Sequence, residues 1–537
     1  MIIFYNANII SPDYPGATAF VIDKKRFYAV GKDRDILDAF STRAKVFNLN
    51  GKSVLPGLID AHMHLRHLAE NISTVDCETS TLQECLSRIK QVAILLPKDA
   101  WVRGHGWNHN LWAESYGNAS LLDEVCGGRP AYLTAKSLHA AWVNTPALTL
   151  ARIDNTTPDP PGGTIQRGTN NQPTGILFEA GAMDLIEKII PKSNTQDIIQ
   201  KIEALLPKLW KVGLVGIHDF DDFECWLALQ EIAQQNTTVL RVHKQIPFNQ
   251  LDTFVNAGLR THFGNVRLNL GGVKLFSDGA LGPHTAAMHA PYEGTQTVGE
   301  LLVTEDEIVE IGLFSVNHGI SLTIHAIGDR ANHIVLNAFE RIRAYEEKHH
   351  LPYLPHRIEH VQIINPEDLP RFKKLNIIAS IQPIHAPSDM DMADRFLGQR
   401  SNHAYAYRSL IDAGATYVMG SDAPVESYNP FLGLYAAVTR CRLDGTPGNS
   451  GWHPEQRLSL DEALLGYTVA PCSLAGYEAE LGKIAPGYYA DFLILNENPF
   501  KIPSHNLGAL QPVATFIAGQ CLYNSSDYDF ESQDKLS

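Results

Sequence analysis

Eight short runs rich in apolar and β-branched residues, separated by helical patterns, constrain this chain more than any other feature. They cover residues 54–60, 214–218, 240–246, 267–275, 320–325, 356–361, 376–382 and 415–421. Helical periodicity fills several of the gaps, as over Asp222 to Gln234 and His333 to Tyr345. Strands that alternate with helices predict βαβ units, because a parallel connection needs a long crossover and usually takes it as a helix. Eight such units predict an α/β fold of the (β/α)8 TIM barrel type. Thr195 to Val212 reads as the helix leading into the second strand, so a long stretch follows the first. Residues 66–194 are therefore expected to form an inserted subdomain that caps the barrel mouth. It has strands of its own at Trp101-Val102-Arg103 and Ala131-Tyr132-Leu133-Thr134, and a Pro/Gly-rich loop over residues 158–163.

A chain of 537 residues exceeds what one core usually organises, which predicts a second, smaller domain. Both termini supply it. Ile2-Ile3-Phe4 and Ala19-Phe20-Val21-Ile22 near the start, and Ala490 to Leu495 and Val513 to Ile517 near the end, read as short strands set off by glycine turns. Residues 1–54 plus 476–525 are expected to make a small β-sandwich, leaving 55–475 to the barrel and its insertion. A hydrophobic fraction of 44% supplies ample core, and a net charge of −15 disfavours nucleic acid as a partner. The chain has no apolar run of the ~20 residues that a membrane span takes, and its start lacks a basic region, so a cytoplasmic protein with no membrane partner is expected. Seven cysteines without a CxxC pair read as reduced thiols, so any metal must rest on other ligands.

The richest stretch is Leu55-Pro56-Gly57-Leu58-Ile59-Asp60-Ala61-His62-Met63-His64. Alternate side chains of an extended strand share a face, so His62 and His64 can point at one ion. Alone, an HxH pair is as consistent with two unrelated histidines as with two ligands. Four further candidates stand at later strand ends: Lys274, His325, His360 and Asp422. Taken singly, the lysine reads as a solvated charge, each histidine as a satisfied polar group and the aspartate as a helix cap. In a barrel all of these positions converge at the C-terminal mouth, where catalytic groups of this fold are placed.

LPGLIDAHMH, GVKLFSDGALG, TIHAIGDRA, RIEHVQ, QPIHAPSDM, GSDAPVE and the closing LGKIAPGYYADFLIL together resemble the amidohydrolase superfamily, and within it the amidohydrolase-3, or YtcJ-like, metal-dependent hydrolases. The resemblance covers essentially the whole chain. It implies two divalent ions, zinc in the first instance. His62 and His64 would hold one, with Asp422; His325 and His360 would hold the other. Lys274 would bridge them as N6-carboxylysine, formed when its neutral amine captures carbon dioxide; the alternative is an unmodified lysine in a salt bridge. Glu179 is a further metal or substrate candidate, or else a helix N-terminal charge. His139, Asp278 and Arg330 are candidate substrate-binding residues, with loop salt bridges as the plain alternative for the last two. Trp107, Trp112 and Phe220 are assigned no role.

The reaction implied is hydrolysis of a non-peptide carbon–nitrogen bond in a small amide, formamide or cyclic amide by metal-activated hydroxide, with Asp422 as proton shuttle. A mononuclear deaminase of the same superfamily needs no bridging lysine, and a barrel that has lost catalysis would have lost ligands. A homodimer is the default assembly.

Overall fold

The computed structural model describes residues 1–525 other than 73, 110, 111, 115, 136–139, 192, 235–239 and 283. Its largest sheet runs through Leu58–Met63, Leu214–Asp219, Arg241–Pro247, Leu268–Phe276, Leu322–Ala326, Arg357–His360, Ile378–Ile381 and Thr416–Met419. These eight strands lie side by side in chain order. Every neighbouring pair is parallel. A parallel bridge from Met63 to Ala423 brings the end of the eighth strand back to the first. Nearly every residue of these strands is buried, as expected of parallel strands covered on both faces. The fold is a (β/α)8 barrel.

One strand is displaced from its expected place. The run 54–60 spans two elements: Ser53–Pro56 pairs antiparallel with Phe492–Leu495 in a small sheet, and the barrel strand begins at Leu58. Both stretches are buried, so apolarity continues across the break and only Pro56-Gly57 marks it. A side chain at Gly57 would put its Cβ 2.5 Å from the methyls of Val215, so glycine is required where the chain passes from one sheet to the other. The shift places His62 inside the strand and His64 just past its end.

The chain divides into two compact units, Met1–Leu65 with Ile202–Ser537, and Arg66–Lys201. Besides the barrel, the first unit holds a four-stranded sheet from the N-terminal segment and a five-stranded sheet that joins strands from both ends of the chain. Their facing sides share an aromatic core: Phe4 meets Phe492 edge-on at 5.6 Å, and Phe492 stacks on Phe516 at 4.4 Å. The second unit is built on a six-stranded sheet whose core contains Trp107, Trp112 and Trp142. All seven cysteines are free. Among the described residues, no helix is long and apolar enough to cross a membrane.

Candidate metal centre

His62 sits on the first barrel strand with its side chain 1% exposed. Its Nδ1 lies 2.6 Å from Glu359 Oε2, and its Nε2 is buried with no hydrogen-bond partner. Burial lowers its pKa to about 4 against the pull of Asp422 and Glu359, so the ring is neutral and Nε2 presents a lone pair. Glu359 is itself fixed by Arg357, which donates from Nε to Oε1 and from Nη2 to Oε2, the latter at 2.8 Å. Burial opposes ionisation of Glu359, yet Arg357 and His62 hold its carboxyl well below the usual range. The inner barrel therefore carries a chain of contacts, Arg357 to Glu359 to His62.

The other imidazoles follow the same rule. His64 Nδ1 lies 3.2 Å from Asp221 Oδ1, His360 Nδ1 2.9 Å from Gln382 Oε1, and His325 Nε2 3.0 Å from the carbonyl of Gly279. Each of the four rings thus has one nitrogen on an oxygen acceptor, which aims the other nitrogen. That is the arrangement by which proteins orient histidine ligands. For His64, burial is outweighed by the carboxylates of Asp221 and Asp422, which raise its pKa to about 9 in the metal-free site. The rings converge: His62 and His360 have centroids 4.9 Å apart, and His360 and His325 4.6 Å.

Asp422 follows the eighth strand in a left-handed backbone conformation, φ 60°. Its amide donates to the carbonyl of His62 at 2.8 Å, and a Cβ at neighbouring Gly420 would meet the His62 nitrogen at 2.4 Å. Glycine there lets the two strand ends approach. Asp422 Oδ1 lies 3.3 Å from His62 Nε2 and 3.5 Å from His64 Nε2. Burial alone would raise its pKa, but His62, His385 and His64 hold the carboxyl well below the usual range. One candidate ligand atom from each of His62, His360 and Asp422 falls within a 4.8 Å cluster. A neutral, partnerless imidazole nitrogen facing a carboxylate oxygen has no hydrogen to share, and a divalent cation between them satisfies both; the donor set fits a metal of the zinc type.

Lys274 lies on the fourth strand, its Nζ 4.7 Å from the ring centroids of both Phe220 and Phe276. Burial lowers its pKa to about 8 against the carboxylates of Glu359 and Asp422. Among the described residues no salt bridge or hydrogen bond is found at its Nζ. Asp278 is buried, and its two oxygens accept from the amides of Ala287, Ile327 and Gly328 at 2.8–3.0 Å. Its Oδ1 also lies 3.5 Å from His325 Nε2, so it ties the segments at Ala287 and Ile327-Gly328 together beside His325, which stands on the strand Leu322–Ala326. Arg330 is half-buried on the helix Asp329–Lys348, and its side chain has no polar partner among the described residues. Glu179 opens the helix Glu179–Glu187 of the second unit, with φ 61°. His139 lies outside the described residues.

The model of the amidohydrolase family matches residues 45–523. This chain belongs to that family. The amidohydrolase is 32% identical over 500 residues to the putative amidohydrolase YtcJ of Bacillus subtilis, covering 90% of this chain and 92% of the relative. It is 29% identical over 540 residues to the N-substituted formamide deformylase of Arthrobacter pascens, covering 97% and 98%. Among solved structures, an uncharacterized metal-dependent hydrolase from Pyrococcus furiosus superposes with a TM-score of 0.77 at 27% identity, covering 93% of this chain and 99% of that one. The chain is thus a metal-dependent hydrolase of the amidohydrolase superfamily.

Several side chains of this amidohydrolase's site had no place in the sequence reading. Phe220, assigned no role, stacks on His62 with centroids 3.8 Å apart and planes 5° from parallel. Its position just beyond the second strand was the available signal. Glu359 and Gln382 are buried at the ends of the sixth and seventh strands, and Asp221 lies two residues past the second. His385 lies four residues past the seventh strand, its Nε2 3.7 Å from Asp422 Oδ2. It stood inside the QPIHAPSDM motif, yet nothing in its spacing tied it to the other histidines.

Proposed function

We propose that this amidohydrolase hydrolyses the carbon–nitrogen bond of a small amide, formamide or cyclic amide, with His62, His64, Lys274, His325, His360 and Asp422 holding two zinc-type ions. The observation that carries this reading is the orientation of the four imidazoles, each anchored through one nitrogen so that the other is aimed. The similarity to a relative named as an N-substituted formamide deformylase supports the substrate class. Divalent ions held here would polarise a carbonyl oxygen and bring the pKa of water toward neutrality.

The chain's own groups do the rest. Burial keeps part of the Lys274 amine neutral near pH 8, the form that takes up carbon dioxide to become N6-carboxylysine. Asp422, ionised at neutral pH, accepts the proton that the attacking water loses and delivers it to the departing nitrogen. Glu359 keeps His62 in the ligand tautomer, Asp221 orients the His64 ring, and the Phe220 ring against His62 holds that imidazole in its plane.

A second reading rests on the tight group of His62, His360 and Asp422, which is enough for a single ion and a deaminase. Elemental analysis of metal-replete protein, paired with a screen of N-formyl, N-acyl and cyclic amides on zinc-loaded enzyme, separates the two. Two ions per chain and amide turnover are expected. One ion per chain with release of ammonia from a heterocycle would replace the first reading with the second.

A further inference from the structure

His64 stands just past the first barrel strand, where the ladder of strand bonds no longer holds it, and its side chain is 24% exposed against 1% for His62. What fixes it comes from the neighbouring strands. Its Nδ1 lies 3.2 Å from Asp221 Oδ1, and the amide of Leu65, the next residue along, donates to Asp219 Oδ1 at 2.9 Å. Ring and backbone are thus held by two carboxylates at the end of the second strand. Those carboxylates are held in turn by Lys244, which sits opposite Asp219 in the register of the second and third strands. All three of these side chains are wholly buried. Lys244 Nζ lies 2.9 Å from Asp219 Oδ2 and donates to the carbonyl of Asp221, while the Asp221 amide donates to Asp219 Oδ2 at 3.3 Å. Asp219, Asp221 and Cys225 bring ligand atoms close enough together for a metal ion, but the ammonium of Lys244 already supplies a cation there.

We propose that Lys244 is a positioning residue for the metal centre: from the third strand it locks the turn Asp219-Phe220-Asp221, and through that turn it fixes where His64 points. This rests on the metal reading above. A buried ion pair is a poor stabiliser, since apolar residues of similar volume hold a core as well or better. What the pair supplies is direction. Its bonds run to a side-chain oxygen and a backbone carbonyl two residues apart, and so set the path of the chain between them. Phe220, whose ring stacks on His62, lies on that path, and its amide donates to the carbonyl of Met63 at 3.0 Å. One ammonium therefore governs the seating of both histidines of the HxH pair, acting through Asp221 on one and through Phe220 on the other.

The test compares wild type with Lys244→Met and with the double variant Lys244→Met/Asp219→Asn, which removes both charges while its asparagine can still accept from the Leu65 amide. Zinc affinity by chelator competition, the visible spectrum of cobalt(II)-loaded protein and urea unfolding of metal-free protein are measured on each. The double variant is expected to unfold near the wild-type midpoint, as replaced ion pairs often do. It should bind zinc about 10–100-fold more weakly, the usual cost of losing support for a ligand histidine, and give a changed cobalt spectrum. Lys244→Met should weaken the metal as much and lose stability besides. Wild-type zinc affinity and cobalt spectrum in the double variant would overturn the proposal, whatever Lys244→Met does, because the harm would then come from a stranded carboxylate. A double variant that does not fold would make the pair a structural support and overturn it too. Should wild type itself bind no divalent ion, the metal reading falls; tight binding in wild type with unchanged variants removes Lys244 alone.

Discussion

Replacing Glu359 with glutamine leaves every proposed ligand in place and removes only what aims one of them. Glu359 Oε2 lies 2.6 Å from His62 Nδ1 and 2.8 Å from Arg357 Nη2, while Oε1 takes the Arg357 Nε. Glutamine has one carbonyl oxygen for these three donors, and its amide nitrogen must then face either the guanidinium or the imidazole N–H. Loss of a group that orients a metal-bound histidine weakens metal binding by about 10–100-fold, or about 1.4–2.8 kcal/mol. Breaking a buried ion pair by removing one partner costs a further ~3–5 kcal/mol of folding stability. The carbonyl of Ala61 and the hydroxyl of Ser380, each 2.8 Å from Arg357 Nη2, still hold the stranded guanidinium and favour the lower end. Chelator-competition titration reads the first quantity, and urea unfolding of metal-free protein reads the second. A Glu359→Gln protein with wild-type metal affinity and wild-type unfolding midpoint would refute the relay from Arg357 through Glu359 to His62.

Other outcomes are expected. Asp422→Asn should keep its fold and much of its metal yet lose about 10²–10⁴-fold in kcat, since an amide cannot carry the proton; near-native turnover would assign the shuttle elsewhere. Lys274→Ala should lose metal and activity together, with partial rescue by a short carboxylic acid, and native mass measurement of wild type should show the added carbon dioxide; an unmodified amine in active, metal-loaded enzyme would exclude the carbamate. In metal-free protein, burial raises Asp60 to about 7, above its ordinary 3.8. Its contribution is full below pH 3.8 and is lost as pH rises through about 7, because the folded state binds the extra proton. Asp60→Asn can keep the bonds that Oδ1 receives from the amides of His62 and Ser421, both 3.0 Å, so its stability should decline less over that window; parallel curves for the two proteins would contradict the assignment.

The barrel was legible because each strand is a short buried run between helices, and those runs survive as Leu214–Asp219, Arg241–Pro247 and the rest within a few residues. The exception is instructive. Val54 and Leu58 are equally buried, one in a sandwich and one in a barrel, and hydrophobicity alone does not name the sheet that a strand joins. Proposed ligands at strand ends were legible for a related reason: position in the barrel implies convergence. What escaped was whatever depends on the rotation of a side chain or the path of a loop. Phe220 reads as any core aromatic until its ring is seen against His62, and Glu359 reads as a neighbour of His360, although it serves His62 from across the barrel.

Gly57 alone separates Pro56, the last residue of the sandwich strand, from Leu58, the first of the strand that carries His62. The Gly57 amide donates to Asp491 at 3.0 Å, and Asp491 in turn grips Arg241 of the third barrel strand, with one bond at 2.8 Å. The segment around Asp491 is therefore stitched at Gly57 to the start of the first barrel strand, five residues before His62. Ribosomal synthesis makes Leu58–Met63 well before its brace, Phe492–Leu495 and Pro512–Ile517, so the segment that holds the start of the first barrel strand joins it only after the other barrel strands have been made. A stop codon ahead of residue 492 would be felt at His62, some 430 residues upstream, whereas a tag appended after the last described strand would leave that brace in place.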